Sequence, residues 1–453
     1  MTSELLTKYD VPAPRYTSYP TVPDWDVVVP EQDFWKEAVR KTFQETNSTV
    51  GISLYLHLPF CERLCTYCGC NTRITINHAV ERVYMNAIHK EWNRYLTLFN
   101  EKPRIKEIHL GGGTPTFFSP ENLSEMLRDI LKDAIVAPDP EFSFEAHPGN
   151  TTIEHLRVLY ELGFRRLSIG VQDFDPEVLH IINRFQTYED VVSLTENARQ
   201  MGYKSVNFDL VYGLPLQKQD RFMDTVKKVT QLQPDRIALY SYAHVPWVKP
   251  GQRKFSEVDL PAREEKLMLY QGALDWFTKN GYQSIGMDHF ALPEDELSQA
   301  ARNGTLHRNF MGYTVSRTKL LIGMGTSAIS DAGTGYVQNE KVVETYYKAL
   351  NEREFPFFKG HKLTKTDQAI RRHILQLMCS MKTSWDDEDE GVAFIYEGLE
   401  RLRELEKDGL VVIKPYELWV TDLGQLFLRN ICMALDPRIW SEVSQEQRFS
   451  KAL

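Results

Sequence analysis

Four of the chain's six cysteines lie in one short stretch, PFCERLCTYCGC at 59–70. Cys61, Cys65 and Cys68 follow the spacing Cys-x3-Cys-x2-Cys, and Cys70 comes two residues later. Thiols this dense can close disulfides, bind zinc or hold an iron–sulfur cluster. A structural zinc site usually pairs two separated knuckles, and no second Cys/His knuckle follows at finger-like spacing. Zinc held by all four clustered thiols is sterically awkward but stays open. Disulfides are rare in the reducing cytoplasm, which is where the rest of the chain points. An iron–sulfur cluster on three thiolates leaves one iron free to take a ligand, a chemically useful arrangement.

Compartment and class come from composition. At 453 residues the chain is long enough for two domains, one of them large. With 42% hydrophobic and 25% charged residues it has a globular composition. No run approaches the roughly 18 consecutive apolar residues of a membrane span. The first residues, MTSELLTKYDVPAPRYTSYP, lack a basic region followed by an apolar run, so a cytoplasmic protein without membrane attachment is expected. A net charge of -9 argues against a nucleic-acid binder and means that an anionic substrate would need local cations.

The elements that must position these thiols are legible from residue 51 onward. Candidate strands at 52–58, 105–110, 141–146, 166–171, 206–212 and 236–243 alternate with amphipathic stretches such as 80–99, and SIGMDHF (284–290) reads as a further strand. Ser119-Pro120-Glu121 has the residues of a helix start. LGFRRLSIG (162–170), MGYKSVNFD (201–209) and NGYQSIGMD (280–288) share a glycine that can end a helix, an aromatic residue and then a strand. Repeated strand–helix units imply parallel strands joined by right-handed crossovers. The fold class expected is α/β: a partial TIM-like (β/α)6 barrel with an N-terminal arm and a smaller, mainly helical C-terminal domain, an open doubly wound sheet being the alternative. The expected units are 1–48, 49–355 and 356–453. The last includes a hairpin in VVIKPYELWVTD.

The cysteine spacing, with Tyr67 before the third thiol and Gly111-Gly112-Gly113-Thr114 one strand later, resembles the radical S-adenosylmethionine enzymes. PRYTSYPT (14–21), YLHLPFCERLCTYCGCNT (55–72), HLGGGTPT (109–116), SIGVQDF (168–174), NFDLVYGLP (207–215), YAHVP (242–246), GMDHFA (286–291), LHRNF (306–310) and RNICM (429–433) narrow the likeness. Together they resemble the oxygen-independent coproporphyrinogen III oxidase family. Related haem chaperones and haem-degrading enzymes usually have phenylalanine at the Cys70 position and lack the PRYTSYPT arm.

The resemblance implies oxidative decarboxylation of two propionates of coproporphyrinogen III in anaerobic haem biosynthesis. It also implies a [4Fe-4S] cluster and two S-adenosylmethionine molecules per turnover. Carried over residue by residue, Cys61, Cys65 and Cys68 ligate the cluster. Tyr55, Gly112, Glu145 and Ile329 contact one S-adenosylmethionine, and Tyr67, Gly113, Thr114, Gln172, Arg184, Asp209 and Ala243 form a second such site. Cys70 is either a small buried loop residue or a participant in proton or hydrogen handling near the substrate. A low-potential flavodoxin or ferredoxin is the implied electron donor, and a monomer is expected.

Other residues are read from their types alone. Arg184 on sequence looks like a surface arginine at a helix end. His57 is expected to hold the cysteine loop, and Cys379 and Cys432 to be core residues. Arg15, Tyr16, Tyr19, His307 and Arg308 are candidates for the substrate pocket, with arm packing and surface charge as their ordinary readings. One departure from the family pattern stands at 145–149, EAHPG where Glu-Val-Asp-Pro-Arg is common, so that His147 replaces an acid.

Overall fold

The six strands expected from residue alternation all form: β1 (Ile52–Leu58), β2 (Arg104–Gly112), β3 (Ile135–Ala146), β4 (Arg166–Gln172), β5 (Ser205–Tyr212) and β6 (Arg236–Ser241). They pair in parallel in chain order. The computed structural model describes residues 3–26 and 31–441. Helices Val80–Leu96, Pro120–Leu131, Ile153–Glu161, Tyr188–Met201 and Gln219–Gln231 connect the strands. Leu54, Leu56, Ile108, Phe142, Phe144, Ile169 and Phe208 are fully buried or nearly so, in the core the strands and helices share. Ser119 caps its helix by accepting from Asn122 N at 3.2 Å. Gly163, Gly202 and Gly281 close their helices at φ of 96°, 98° and 93°, the left-handed conformation their shared formula required.

Sequence patterning missed how the sheet continues. SIGMDHF is not one strand: it breaks at Gly286 (φ +61°) into β7 (Gln283–Ile285) and β8 (His289–Ala291), an antiparallel pair added to β6. A seventh parallel strand, β9 (Leu321–Met324), lies on the other side of β1. It is four residues long and uniformly apolar, too short for alternation to reveal it. β10 (Ile329–Asp331), β11 (Gly335–Asn339) and β12 (Phe357–Lys362) extend the sheet antiparallel. The order is β12-β11-β10-β9-β1-β2-β3-β4-β5-β6-β8-β7, whose two edge strands are not paired with each other, so the barrel stays partial.

Helices Lys365–Ser380, Val392–Lys407 and Leu428–Ala434 pack around a three-stranded antiparallel sheet that contains the expected hairpin, 411–414 with 417–420. Because β12 bonds to β11, we propose that this C-terminal unit begins after Lys362 and not at 356. The N-terminal arm is shared out. Leu6, Tyr9, Tyr16 and Tyr19 enter the C-terminal core, whereas Trp35, Val39 and Phe43 of helix Gln32–Thr46 enter the barrel core. Two buried arginines fix the arm between these bodies. Arg308 Nη1 donates to the carbonyls of Arg15 (3.1 Å) and Tyr16 (2.9 Å), and Arg429 donates to those of Ala13 and Pro14. No helix among the described residues is long and apolar enough to cross a membrane.

The end of β1 and the turn after β9 are tied by one buried hydroxyl. Tyr84 OH donates to the His57 carbonyl at 2.8 Å and accepts from Thr326 N at 2.9 Å. Tyr84→Phe strands both backbone groups, and the urea midpoint is expected to fall by the equivalent of about 1–3 kcal/mol. An unchanged midpoint would mean that neither group depends on the hydroxyl.

Candidate functional site

β1 and β2 end side by side, and each runs directly into an irregular loop. Phe60–Cys61 pairs in parallel with Arg73–Ile74, which closes residues 62–72 at the base. The loop between is held from outside. Thr66 N donates to Ile182 O (2.9 Å), Asn183 Nδ2 to Leu64 O (2.7 Å) and Gln252 Nε2 to Tyr67 O (3.1 Å). Lys249 Nζ donates to Cys70 O (3.0 Å), and Asn71 Nδ2 reaches Lys341 O (2.8 Å). His57 acts as the expected loop clamp. Its Nε2 lies 2.8 Å from Asn71 O, an acceptor only, so Nε2 carries the proton and Nδ1 accepts from Tyr55 OH at 3.0 Å.

The three thiols of the Cys-x3-Cys-x2-Cys set are half-buried and Cys70 is exposed. Each meets a different polar group: Cys61 Sγ is 3.3 Å from Thr114 Oγ1, Cys65 Sγ accepts from Arg184 Nη1 at 3.7 Å, and Cys68 Sγ accepts from Cys70 N at 3.4 Å. Burial pushes the Cys61 thiol up to about 12 and also raises Cys65. At these two positions a metal in the place of the proton would offset the penalty that burial puts on the thiolate. Among the described residues no three His, Cys, Asp or Glu side chains are close enough to hold one ion. Three thiols from one irregular loop are a donor set that fits an iron–sulfur cluster.

The glycines after β2 have no room for side chains. A Cβ on Gly112, at φ +109°, would lie 2.5 Å from the His57 ring, and one on Gly113 2.6 Å from the Pro59 carbonyl. Gly112 N donates to Glu145 Oε2 at 3.2 Å, and Tyr55 stacks on His109 at 6.0 Å, whose Nε2 is 3.6 Å from Glu145 Oε1. Tyr55, Gly112 and Glu145 are thus brought together at the ends of β1, β2 and β3. Ile329 lies close behind. Its carbonyl blocks the Cβ side of Gly323, the residue paired with Tyr55, while its side chain packs toward Trp25 and Tyr336.

The other set runs along the ends of β4, β5 and β6. Arg184 is a correction to the surface reading: it is 7% exposed, and its guanidinium donates to Gly170 O, to Gln186 Oε1 (2.7 Å) and to Cys65 Sγ. Gln172 takes φ +66° at an irregularity in the β4–β5 pairing. Asp209 accepts from Ser168 Oγ (2.7 Å) and Asn207 Nδ2 (2.8 Å). Thr114 N is fixed by Phe60 O at 2.9 Å, and Tyr67 packs against the apolar cluster of Ile182, Leu214 and Phe255. Ala243 O accepts from Gln252 Nε2 at 3.2 Å. In the EAHPG turn, His147 Nδ1 accepts from Gly149 N at 3.1 Å, and burial with Arg184 nearby lowers its ring to about 3, so it stays neutral.

Two cavities adjoin. The barrel lumen holds a polar one of 140 Å³ between His109, Glu145, Asp209 and His289. Beyond β5 and β6 lies a larger one, 720 Å³, enclosed by the arm, the strand ends and the C-terminal unit. Arg15, Arg263, Lys266 and Arg429 bring four cations to it and Asp10, Glu257, Glu264 and Asp288 four acids, Asp10 pairing with Arg263 at 3.0 Å, and Tyr212 and Ala243 form part of its wall. Of the arm and LHRNF candidates, only Arg15 lines it. Tyr16 and Tyr19 are spent on the C-terminal core, Arg308 on the arm, and His307 sits on the 307–309 hairpin strand outside both cavities. Cys432 is buried and Cys379 half-buried in the C-terminal core. Sequence reasoning missed His109, Lys249 and Gln252. Lys249 caps and Gln252 lies within the short 3-10 helix Pro250–Lys254, too short for periodicity to mark.

The Radical SAM superfamily profile matches residues 55–229. The chain is 39% identical to the oxygen-independent coproporphyrinogen III oxidase of Salmonella typhimurium over 99% of this chain and 98% of that one. It is 37% identical to the protein of that name from Synechocystis, over 100% and 98%. Among solved structures, coproporphyrinogen III oxidase from Escherichia coli, described as a radical SAM enzyme, superposes with a TM-score of 0.89. It is 38% identical, with 97% of this chain and 99% of that chain covered.

Burial raises the Asp209 carboxyl to about 6, well above an ordinary aspartate, despite its two donors. The folded protein therefore holds this proton more tightly than the unfolded chain, and stability is lost as pH rises through that interval. Asp209→Asn should leave stability unchanged near pH 4 and raise it by roughly 1–3 kcal/mol at pH 7.5. Thermal midpoints across that range test this; a difference independent of pH would show that the ionised form carries no penalty.

Proposed function

The chain belongs to the oxygen-independent coproporphyrinogen III oxidase family, and from that premise we propose that it converts the ring A and ring B propionates of coproporphyrinogen III to vinyl groups. The product is protoporphyrinogen IX. The observation that carries this reading is the full-length likeness at 39% identity, joined to a three-thiol loop at the ends of parallel strands in a partial barrel. When bound, the [4Fe-4S] cluster and S-adenosylmethionine supply a 5′-deoxyadenosyl radical able to take hydrogen from an unactivated carbon, once for each vinyl group.

The chain's own residues divide the remaining work. Cys61, Cys65 and Cys68 would hold the cluster. Glu145 offers its carboxylate to that molecule's ammonium or ribose, Tyr55 and the bare backbone at Gly112 shape the same wall, and Ile329 backs it. Tyr67, Gly113, Thr114, Gln172, Arg184, Asp209 and Ala243 form the second S-adenosylmethionine site. Arg184 has spent most of its donors on the protein, so its charge there acts beside Cys65 more than as a fork on a carboxylate. Cys70, exposed two residues past the last ligand, is the candidate for hydrogen handling.

The 720 Å³ cavity is large enough for a tetrapyrrole edge, and of its cations Arg15 and Arg429 are the candidates to meet substrate carboxylates, Arg263 being paired with Asp10 at 3.0 Å. Ala243 joins it to the cofactor wall. A low-potential flavodoxin or ferredoxin is the electron donor that suits the reaction.

The test is an anaerobic assay of the reconstituted protein with coproporphyrinogen III, S-adenosylmethionine, reductant and an electron-accepting extract, tetrapyrroles being resolved by mass spectrometry. Loss of two carboxyl groups in sequence is expected, and Cys65→Ser should reduce turnover to background. Cleavage of S-adenosylmethionine with all four substrate carboxylates retained would refute the assignment.

A further inference from the structure

The cysteine loop's exposed edge is bordered by cations of a different kind from those in the cavity. Segment 247–254, WVKPGQRK, lies against the loop through Gln252 on Tyr67 O, Lys249 on Cys70 O and Gly251, whose Cβ position is 3.2 Å from Leu64. It carries Lys249, Arg253 and Lys254 and no acid. Arg63 stands on the loop itself, over the Phe185 ring at 4.8 Å, and Lys341 adjoins it where Asn71 bonds the Lys341 carbonyl. Arg63, Arg253, Lys254 and Lys341 are exposed and Lys249 is half-buried.

None of these five forms an ion pair among the described residues. Acids near Lys341 in the chain are engaged elsewhere, Glu340 by Arg353 at 2.7 Å and Glu344 by Arg73 at 2.8 Å. Burial and the neighbouring Lys249 charge lower the Lys341 ammonium, so the two lysines repel without a compensating anion. In a chain of net charge -9, a concentration of unpaired positive charge at one edge calls for an external anion.

The same edge exposes apolar surface: Trp247 is 53% exposed, Val248 61% and Phe185 52%, with Leu64 beside them. Cations ringing exposed aromatic and aliphatic side chains make a protein-docking surface. None of the five cations lines the 720 Å³ cavity, although Trp247 does, so the patch borders that cavity and is not part of it. Lys249, which donates to the Cys70 carbonyl at 3.0 Å, ties this edge directly to the thiol-bearing loop.

We propose that Arg63, Lys249, Arg253, Lys254 and Lys341, around Trp247 and Val248, form the docking surface for an acidic protein that carries single electrons. This rests on the cluster reading above. One electron passes from the carrier's reduced cofactor to the cluster, and no bond or proton is exchanged between the proteins. Encounters of this kind use small interfaces with electrostatic steering, which suits a patch without a deep pocket.

The experiment compares the cluster-loaded protein with the double variant Lys254→Glu, Lys341→Glu, both sites being exposed. The probe is an acidic flavodoxin. Its oxidised form is titrated calorimetrically for affinity, and its photoreduced hydroquinone is mixed by stopped flow to follow cluster reduction. At low ionic strength, affinity and second-order rate should each fall on the order of 10-fold or more, and high salt should remove the difference. Dithionite-driven cleavage of S-adenosylmethionine should be unchanged. Flavodoxin affinity and rate equal to the parent protein's would overturn the proposal. So would parallel loss of the dithionite reaction, or a raised KM for coproporphyrinogen III with an unchanged flavodoxin rate. A parent protein that cannot cleave S-adenosylmethionine with dithionite fails the cluster reading instead, a result the binding titration keeps separate.

Discussion

Everything at this site depends on holding a loop that has almost no structure of its own. Residues 61–72 must present three sulfurs in one direction, yet beyond Cys61 they form no regular element. Their polar backbone groups are satisfied by partners from distant parts of the chain: the turn at 182–183, Gln252, Lys249 and His57. A loop bound at so many points loses its freedom once, on folding, and does not lose it again when a cofactor arrives. The partial barrel is the frame that brings those partners within reach. The strand ends of β1 and β2 set the loop's base, and the crowded Gly111-Gly112-Gly113 run lets the second strand end approach without side chains in the way.

The same frame explains why the lumen tolerates carboxylates. Glu107 is buried but accepts from Ser53 and Thr314, and Asp209 from Ser168 and Asn207. Ser53 and Ser168 donate from neighbouring strands, Asn207 from Asp209's own strand and Thr314 from the 312–314 hairpin strand, so buried acids have partners before any ligand binds. Burial still dominates, and both carboxyls are raised. Acids held this way favour a cationic ligand, since an ammonium or sulfonium would repay the desolvation the protein alone does not fully recover.

Local signals were legible and long-range ones were not. The cysteine spacing, the six strands and the glycine helix ends all follow from neighbouring residues, and each is found where the sequence places it. β9 escaped because four apolar residues carry no period, and SIGMDHF was misread because Gly286 turns the chain where alternation appears to continue. Arg184 looked like a surface residue since helix-end arginines usually are. Only the fold shows that the chain after Ile182 returns across β4, toward Cys65. Arg308, Tyr16 and Tyr19 have the right chemistry for a carboxylate-rich substrate and are used for packing, a choice that tertiary contacts alone decide.

Charge is the last place where the whole chain misleads and the local arrangement decides. A net charge of -9 would repel a tetra-anion and an acidic protein alike if it were spread evenly. It is not. One group of cations lines an enclosed cavity, where Arg429 is buried enough to be lowered to about 9 with Arg15 close by. Acids line that cavity too, Asp10 pairing with Arg263 at 3.0 Å, so the repulsion an arriving carboxylate would relieve is the one between Arg15 and Arg429. The other group stays in solvent, where screening limits each charge to a small effect and only their sum steers a partner. Burial thus sorts one residue type into two tasks: a few desolvated cations discriminate a small anion at close range, and several solvated ones guide a large acidic surface from a distance.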